Sequence, residues 1–567
     1  MKLLKHLSLM LSITMLFSCQ DNKKEPIENN AQVFFGGDII TMVGDTPEYA
    51  EAVVENNGKI VFVGSSDEAM TIAGKGHKMI DLKGKTLLPG FIDAHGHVYN
   101  SGLMSLAAGL LPEPDGDCGS IDVLIEKMKQ WQIDNPEIIK KYNVILGMGY
   151  DDSQLSEKRH PTADDLDKIS TEIPVLVVHQ SSHLGSMNHK ALELVGYVDG
   201  VKDPEGGVIR REPGTNKPNG VLEEMAFFAP LIKLMGQLDY NSNLEVAKAG
   251  MASYIKYGYT TAQEGRATKD VCEIWKTLGE SGDLKIDVAG YPDLQIEMDY
   301  MMQEGVQKEY KNHYRTAGVK LSLDGSPQGK TAWISEPYTS DKNNSGYPAI
   351  PDNEEVQRLI DTAFVKNWQV LAHCNGDAAS DQYLNALKTA TANYSNKGRR
   401  DVMVHSQTVR LDQLDDMKTL GIIPSFFGMH TFYWGDVHVE NLGKERAYKI
   451  SPAATAKKKG MLFTQHHDSP IVFPNSIMIL HAVVNRTSRT GQIIGADERI
   501  SPYDAIKSIT SAAAYQHYEE DLKGDLTEGK LADFVILDKN PLKVSPDKIK
   551  EIQVLQTIKE GQVVYQK

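Results

Sequence analysis

Residues 88–98 read LPGFIDAHGHV. Pro89-Gly90 lead into an apolar run, Phe91-Ile92, that ends in Asp93 and in two histidines two positions apart, His95 and His97. Positions i and i+2 of an extended chain share one face, so both imidazoles point into the same space. Gly96 between them keeps the backbone uncluttered. Apolar strand-like runs recur downstream, most of them closed by a polar residue: TTAQEG (260–265), GVKLSLDGS (318–326), WQVLAHCNGD (368–377), DVMVHSQ (401–407), IIPSFF (422–427) and MLFTQHHDSP (461–470). YNVILGMGY (142–150) and PVLVVHQ (174–180) are two more. Between the runs lie amphipathic stretches at helical spacing, at 121–132, 243–258, 353–367 and 410–421. Apolar strands alternating with helices predict a parallel β/α architecture. The polar residues that close the strands are His95, His97, His179, Glu264, Asp324, His373, His405 and Asp468. In a (β/α)8 barrel that end of the strands is where active sites are built.

Outside this region the pattern changes. Residues 31–88 alternate short apolar runs with turn signals, and Asn56-Asn57-Gly58 is a hairpin turn candidate because Asn and Gly tolerate positive φ. The C-terminus repeats the pattern in GKLADFVILD and IQVLQTIKEGQVVY, with a turn at Glu560-Gly561. Neither piece is large enough to stand alone, which predicts that the two ends pair into one small β unit. The Gly- and Pro-rich run 203–220 reads as an irregular excursion.

The whole chain has 567 residues, a formal net charge of −16, 41% hydrophobic and 24% charged residues. That composition excludes a disordered chain, a disulfide scaffold and a collagen-like repeat. Its acidity disfavours nucleic-acid binding. Residues 1–19 have a basic start, Lys2 and Lys5, and an apolar core from Leu7 to Phe17, which together form a secretory signal too short to span a bilayer. Leu16-Phe17-Ser18-Cys19 resembles a bacterial lipobox. The resemblance implies cleavage before Cys19, a lipid on its sulfur, a polar tether over 20–30, and an exported protein anchored in a bacterial cell envelope by lipid alone. The remaining cysteines, Cys118, Cys272 and Cys374, are irregularly spaced and offer no CxxC. A metal would therefore need histidine and carboxylate ligands.

Those ligand types are available. His373 and His405 each end an apolar run, as successive βα units would place them. Neutral imidazole is the commonest nitrogen ligand for zinc, and a set of them needs a carboxylate for charge balance. Asp468 is in position to ligate a metal and exchange a proton with water; its other reading is a helix cap. His466 shares its strand face and His467 takes the opposite one. Lys320 lies inside the apolar run GVKLSLD. It is either a lysine that snorkels at a strand edge or one that has added CO2 to become a carbamate able to bridge two metals.

The motifs LPGFIDAHGHV, GYTTAQEG (258–265), GVKLSLDGS, HCNGDAA (373–379), VHSQ (404–407), FTQHHDSP (463–470) and EGKLADFVILD (528–538) occur in an order that resembles the amidohydrolase superfamily, in its amidohydrolase-3 or YtcJ-like branch, which includes N-substituted formamide deformylases. The resemblance implies an α/β fold, a distorted (β/α)8 TIM barrel over 89–514 with an insertion at about 105–235, and a small composite β-sandwich from 31–88 plus 515–567. It implies that His95, His97 and Asp468 hold one divalent metal, that His373 and His405 hold a second, and that carboxylated Lys320 bridges the pair. Zn2+ is the expected ion. It further implies hydrolysis of an amide, formamide or cyclic amide by metal-activated hydroxide, with Asp468 as the proton carrier. An ester hydrolase with the same site, and a ligand-binding protein that kept the barrel, are the alternatives. His183 in SSHLGSMN resembles a branch-specific HxxxxN segment and is expected to donate to the developing oxyanion. Tyr150, His430 and Trp434 are expected at the substrate pocket. NGDAA in place of the commoner IGDRA, and a long aromatic segment at 429–438, depart from the family pattern.

Overall fold

A computed structural model describes residues 30–235 and 238–567. The leader, Cys19 and the tether up to residue 29 lie outside the described residues. Eight barrel strand positions follow one another along the chain: β1 (Phe91–Ile92), β2 (Tyr259–Ala267), β3 (Asp287–Pro292), β4 (Tyr314–Thr316 with Val319–Ser322), β5 (Val370–Cys374), β6 (Val402–His405), β7 (Ile423–Phe426) and β8 (Thr464–Gln465). Every neighbouring pair from β1 to β8 is parallel. β4 is broken at Ala317-Gly318, and the bonding to β3 steps across the break, with Ala317 N donating to Gly290 O at 2.8 Å and Leu294 N to Lys320 O at 2.8 Å. Between β8 and β1 the ladder is replaced by two rim bonds, Asp468 N to His95 O at 3.2 Å and His97 N to Ser469 O at 2.9 Å. The result is a distorted (β/α)8 barrel, open in its hydrogen bonding at one seam.

The helices around it start and stop where local chemistry directs. Ser120, Asp239 and Asp352 cap Ile121–Asp134, Tyr240–Lys256 and Asn353–Val365 by accepting a backbone N–H, and Gly421 ends Leu411–Leu420 in the left-handed conformation. Among the described residues no helix is long and apolar enough to cross a membrane.

Both chain ends meet in one eight-stranded sheet. Thr86–Pro89 pairs antiparallel with Phe534–Leu537, and Phe34 meets Phe534 edge-on at 5.3 Å. The turns at Asn57-Gly58 and Glu560-Gly561 have positive φ at both positions, as a two-residue hairpin turn requires. A second sheet, formed within residues 108–224, carries Ile145–Tyr150 and Val175–His179, so these two runs belong to the insertion and not to the barrel. His179 is accordingly not a barrel-rim residue. The run 203–220 is more ordered than its composition suggests: Gly207–Arg211 pairs antiparallel with Pro218–Glu224, with Ile209 opposite Leu222. Its glycines and prolines sit at the ends and turn of a hairpin, where Gly and Pro are tolerated.

A buried ionic cluster fastens the C-terminal segment to the barrel floor. Asp287, first residue of β3, is bound by Lys523, by Lys559 Nζ at 2.8 Å and by His313 Nδ1 at 2.7 Å; Arg315 Nη2 lies 2.6 Å from Glu519. Burial alone would raise both acids, but Lys523 and Lys559 hold Asp287 well below the usual carboxylate range, and Lys523 with Arg315 hold Glu519 at about 2. Depressed folded-state values contribute stability above the unfolded value of about 4, and that stability is lost as pH falls through the folded values. The protein is therefore expected to lose stability between about pH 4 and pH 2. Lys559→Met removes the lysine from buried Asp533 and one of the two lysines from Asp287, and is expected to cost about 3–5 kcal/mol in urea unfolding at pH 7.

Candidate metal centre

The rim brings the sequence-predicted ligands into one bowl. His95 and His97 follow β1, and each presents Nε2 at 3.3 Å from Asp468 Oδ1. Asp468 Oδ2 lies 4.0 Å from His405 Nε2. The His405 ring centroid is 5.6 Å from that of His95 and 4.3 Å from that of His373. Lys320 Nζ is 2.8 Å from His95 Nε2. Gly96 is required here, since a Cβ would lie 2.2 Å from Tyr254 Oη and 2.7 Å from Asp93 Oδ2.

Hydrogen bonding on the far side of each ring fixes which nitrogen is free. His95 Nδ1 bonds Gln263 Oε1 at 2.6 Å, His97 Nδ1 bonds Gly265 O at 2.5 Å, and His373 Nδ1 bonds Asp324 Oδ1 at 3.0 Å. These partners are acceptors, so Nδ1 carries the proton and Nε2 carries the lone pair that a metal needs. Burial pushes His95, His373 and His405 well below the usual imidazole range, which keeps them neutral. Both nitrogens of His405 and Oδ1 of Asp468 are buried without a hydrogen-bond partner. Buried polar atoms are seldom left this way, and a divalent cation would satisfy Asp468 Oδ1 and the His405 Nε2 that faces Asp468. The donor set thus fits a metal. Burial also pushes the Lys320 amine down to about 7.

Other His/carboxylate groups fit less well. Asp151, Asp152 and His179 approach one another in the insertion. There His179 Nδ1 accepts the Ser181 backbone N–H at 3.0 Å, so its proton sits on Nε2, 3.1 Å from Asp152 Oδ1. That nitrogen is a donor, not a ligand. Asp287, His313 and Glu560 belong to the lysine cluster already described.

The chain matches the amidohydrolase family model over residues 78–565. It belongs to the amidohydrolase family. It is 26% identical to YtcJ of Bacillus subtilis over 555 residues, covering 94% of this chain and 99% of that protein. It is 25% identical to the N-substituted formamide deformylase of Arthrobacter pascens, covering 91% of this chain and 95% of that enzyme. Its fold is similar to that of a metal-dependent hydrolase from Pyrococcus horikoshii, with a TM-score of 0.72 and 25% identity, covering 91% of this chain and 99% of that one. This amidohydrolase is a hydrolase acting on carbon–nitrogen bonds, with a candidate metal centre at its barrel mouth.

The remaining expectations divide. His183 does face the centre, with its ring centroid 5.2 Å from that of His373. Its Nδ1 bonds Glu224 Oε2 at 2.8 Å. That bond leaves Nε2 as the ring nitrogen not held by Glu224. Tyr150 is fully buried in the insertion core, with its hydroxyl 3.1 Å from His160 Nδ1, and is a packing residue. His430 bonds His438 at 2.8 Å and stands edge-on to Phe427 at 4.5 Å. Phe427 in turn lies 5.0 Å from His466, so His430 is one ring removed from the bowl. Trp434 Nε1 donates to Asp151 Oδ2 at 2.7 Å and latches the barrel to the insertion.

Three groups went unassigned in the sequence reading. Gln263 and Asp324 orient His95 and His373, and Asp324 also accepts backbone N–H groups of Trp333, Asn375 and Gly376. His466 has both ring nitrogens buried and unpartnered, with its centroid 5.3 Å from that of His95 and 5.1 Å from that of His405. The only available signal for it was its adjacency to Asp468 in HHD. Glu264, which ends a barrel strand, is not a ligand: it accepts from Tyr99 N at 2.7 Å and Trp275 Nε1 at 3.0 Å, and burial raises it to about 8.

Proposed function

We propose that this protein hydrolyses an amide, formamide or cyclic amide bond of a small molecule with the help of divalent metal, Zn2+ being the expected ion. The observation that carries this reading is the convergence of His95 Nε2, His97 Nε2 and Asp468 Oδ1 on one point, beside the unpartnered nitrogens of His405. The name of the Arthrobacter pascens relative supports the formamide bond. His95, His97 and Asp468 would hold one ion, and His373 and His405 a second. The burial that pushes the Lys320 amine down to about 7 supports carboxylation, because CO2 adds only to a neutral amine. A metal bound in this bowl would polarise a carbonyl and lower the pKa of water from 15.7 to about 7. Asp468 takes a proton from the attacking water and returns it to the leaving nitrogen. The buried rim excludes bulk water and keeps Asp468 near the reacting carbonyl.

The test is metal removal and return. Chelated protein is expected to lose turnover of an amide and ester panel and to regain it with added Zn2+, Mn2+ or Co2+. Full activity in thoroughly demetallated protein would defeat the reading. We also propose that the chain is exported and anchored by a lipid on Cys19. Cys19→Ser is expected to move the protein from the membrane fraction to the soluble fraction; an unchanged distribution would remove the anchor.

A further inference from the structure

Arg266 stands on the rim of β2, out of register with its neighbours. Between β2 and β3, Gly265 pairs with Tyr291 and Ala267 with Pro292, so Arg266 is an extra residue that bulges from the ladder. Its φ is +58°, a conformation a side chain adopts against its own preference. Bulges beside active sites re-aim a side chain. Here the bulge lies next to the bowl on both sides. Gly265 O is bonded by His97 Nδ1 at 2.5 Å. Ala267 O accepts from Asp293 N at 3.0 Å, and the next residue, Leu294, donates its N–H to Lys320 O at 2.8 Å. Burial is the main cause that holds His373 and Lys320 low, and the charge of Arg266 adds to it at both.

The guanidinium is only partly engaged. Nε donates to Asp293 Oδ2 at 2.9 Å. The other oxygen of Asp293 is taken by the backbone N–H groups of Gln295 at 2.8 Å and Ile296 at 3.2 Å. A two-pronged pair, such as Arg399 makes with Asp401 through Nε and Nη2 at 2.8 Å each, is therefore not formed. Phe228, from the insertion helix Met225–Met235, lies against the guanidinium at 4.9 Å and edge-on to His183 at 5.9 Å. Among the described residues Nη1 and Nη2 have no hydrogen-bond partner, and the side chain is 28% exposed, so a ligand can reach that edge. Two Nη groups side by side match the two oxygens of a carboxylate. A chain of net charge −16 repels an anion, so holding one needs a local cation of this kind. We propose that Arg266 is a substrate-binding residue whose Nη edge receives a carboxylate carried by the substrate, so that the preferred amides bear a carboxylate on the acyl or the leaving side. This rests on the hydrolase reading above and gives its substrate a charge.

The experiment compares metal-loaded wild type with Arg266→Met, Arg266→Gln and Arg266→Lys on two matched pairs. N-Acylphenylalanine, as each enantiomer, is set against N-acyl-2-phenylethylamine, and N-benzylsuccinamate against N-benzylbutanamide; within each pair the carboxylate is what differs. Circular dichroism and metal content check that each variant is folded and loaded. The readout is the ratio of kcat/KM for anionic over neutral partner, in which general damage cancels. Wild type is expected to favour the anionic partner of at least one pair, and that ratio to fall roughly 10- to 100-fold in Arg266→Met and Arg266→Gln, the latter keeping a donor for Asp293. Arg266→Lys keeps the charge without the fork and is expected to retain part of the preference. If Arg266 only ties Phe228 to Asp293, its loss slows both partners alike; an unchanged ratio in the folded neutral variants overturns the inference and leaves the hydrolase reading standing. Wild type with no preference in either pair does the same. No turnover of any amide or ester by loaded wild type sinks the hydrolase reading, and this inference with it.

Discussion

Asp468→Asn is expected to lower kcat by about 10^3- to 10^4-fold, with a much smaller change in KM. Asparagine keeps the shape of the side chain but can neither carry the negative charge nor take a proton. The position is demanding: Asp468 sits at φ +54°, its N–H bonds His95 O, and its O accepts from Ile471 N at 2.9 Å. These backbone bonds are untouched by the exchange, so the fold should survive and the loss should be chemical. Oδ1 lies 3.3 Å from the Nε2 atoms of both His95 and His97, which makes it the one oxygen shared by that pair. Steady-state kinetics on one good amide substrate, with metal content measured on the same samples, reads the effect. A variant that keeps its metal and turns over within tenfold of wild type removes Asp468 from proton transfer.

Lys320→Ala is expected to be comparably severe, lowering kcat/KM by about 10^3-fold or more, as loss of metal charge stabilisation does. Lys320 is 1% exposed, and burial pushes its amine down to about 7, which brings the neutral form within reach near neutral pH. Carboxylation would convert that liability into an anion beside His95, His373 and His405, which burial keeps neutral. Two measurements separate a carbamate from a plain lysine. Native mass spectrometry is expected to find wild type heavier than its sequence by one CO2, and metal analysis to find fewer ions per chain in Lys320→Ala. A short carboxylic acid added to the variant is expected to restore part of the rate by filling the space the carbamate left. Unmodified mass together with unaltered metal content in the variant would leave Lys320 as a buried lysine only, and the centre as a single-metal site.

Much of this was legible in the chain. Strand ends were visible as apolar runs stopping at His95, His373, His405 and Asp468, because a strand buried on both faces must be apolar until it reaches the rim. The hairpin turns at Asn57-Gly58 and Glu560-Gly561 were visible because few residues tolerate positive φ. What failed to read had a common cause. Gln263 and Asp324 are separated from the histidines they orient by 168 and 49 residues, and Glu224 lies 41 residues from His183. No local pattern marks an acceptor whose partner is supplied by another strand. Tyr150 resembled a pocket residue because it ends an apolar run in GMGY, yet that strand belongs to the insertion sheet and turns its ring into the insertion core. The run 203–220 looked irregular because Gly and Pro mark the ends of a hairpin as readily as they mark a loop.

By itself the sequence determined which side chains were available as metal ligands and that they would stand at strand ends, since hydrophobic periodicity and turn chemistry are local properties of the chain. Only the tertiary structure decided which nitrogen of each imidazole faces inward. That choice depends on a hydrogen-bond acceptor delivered from a distant strand, and it separates the metal-ready His95, His97 and His373 from His179, whose inward nitrogen already holds a proton.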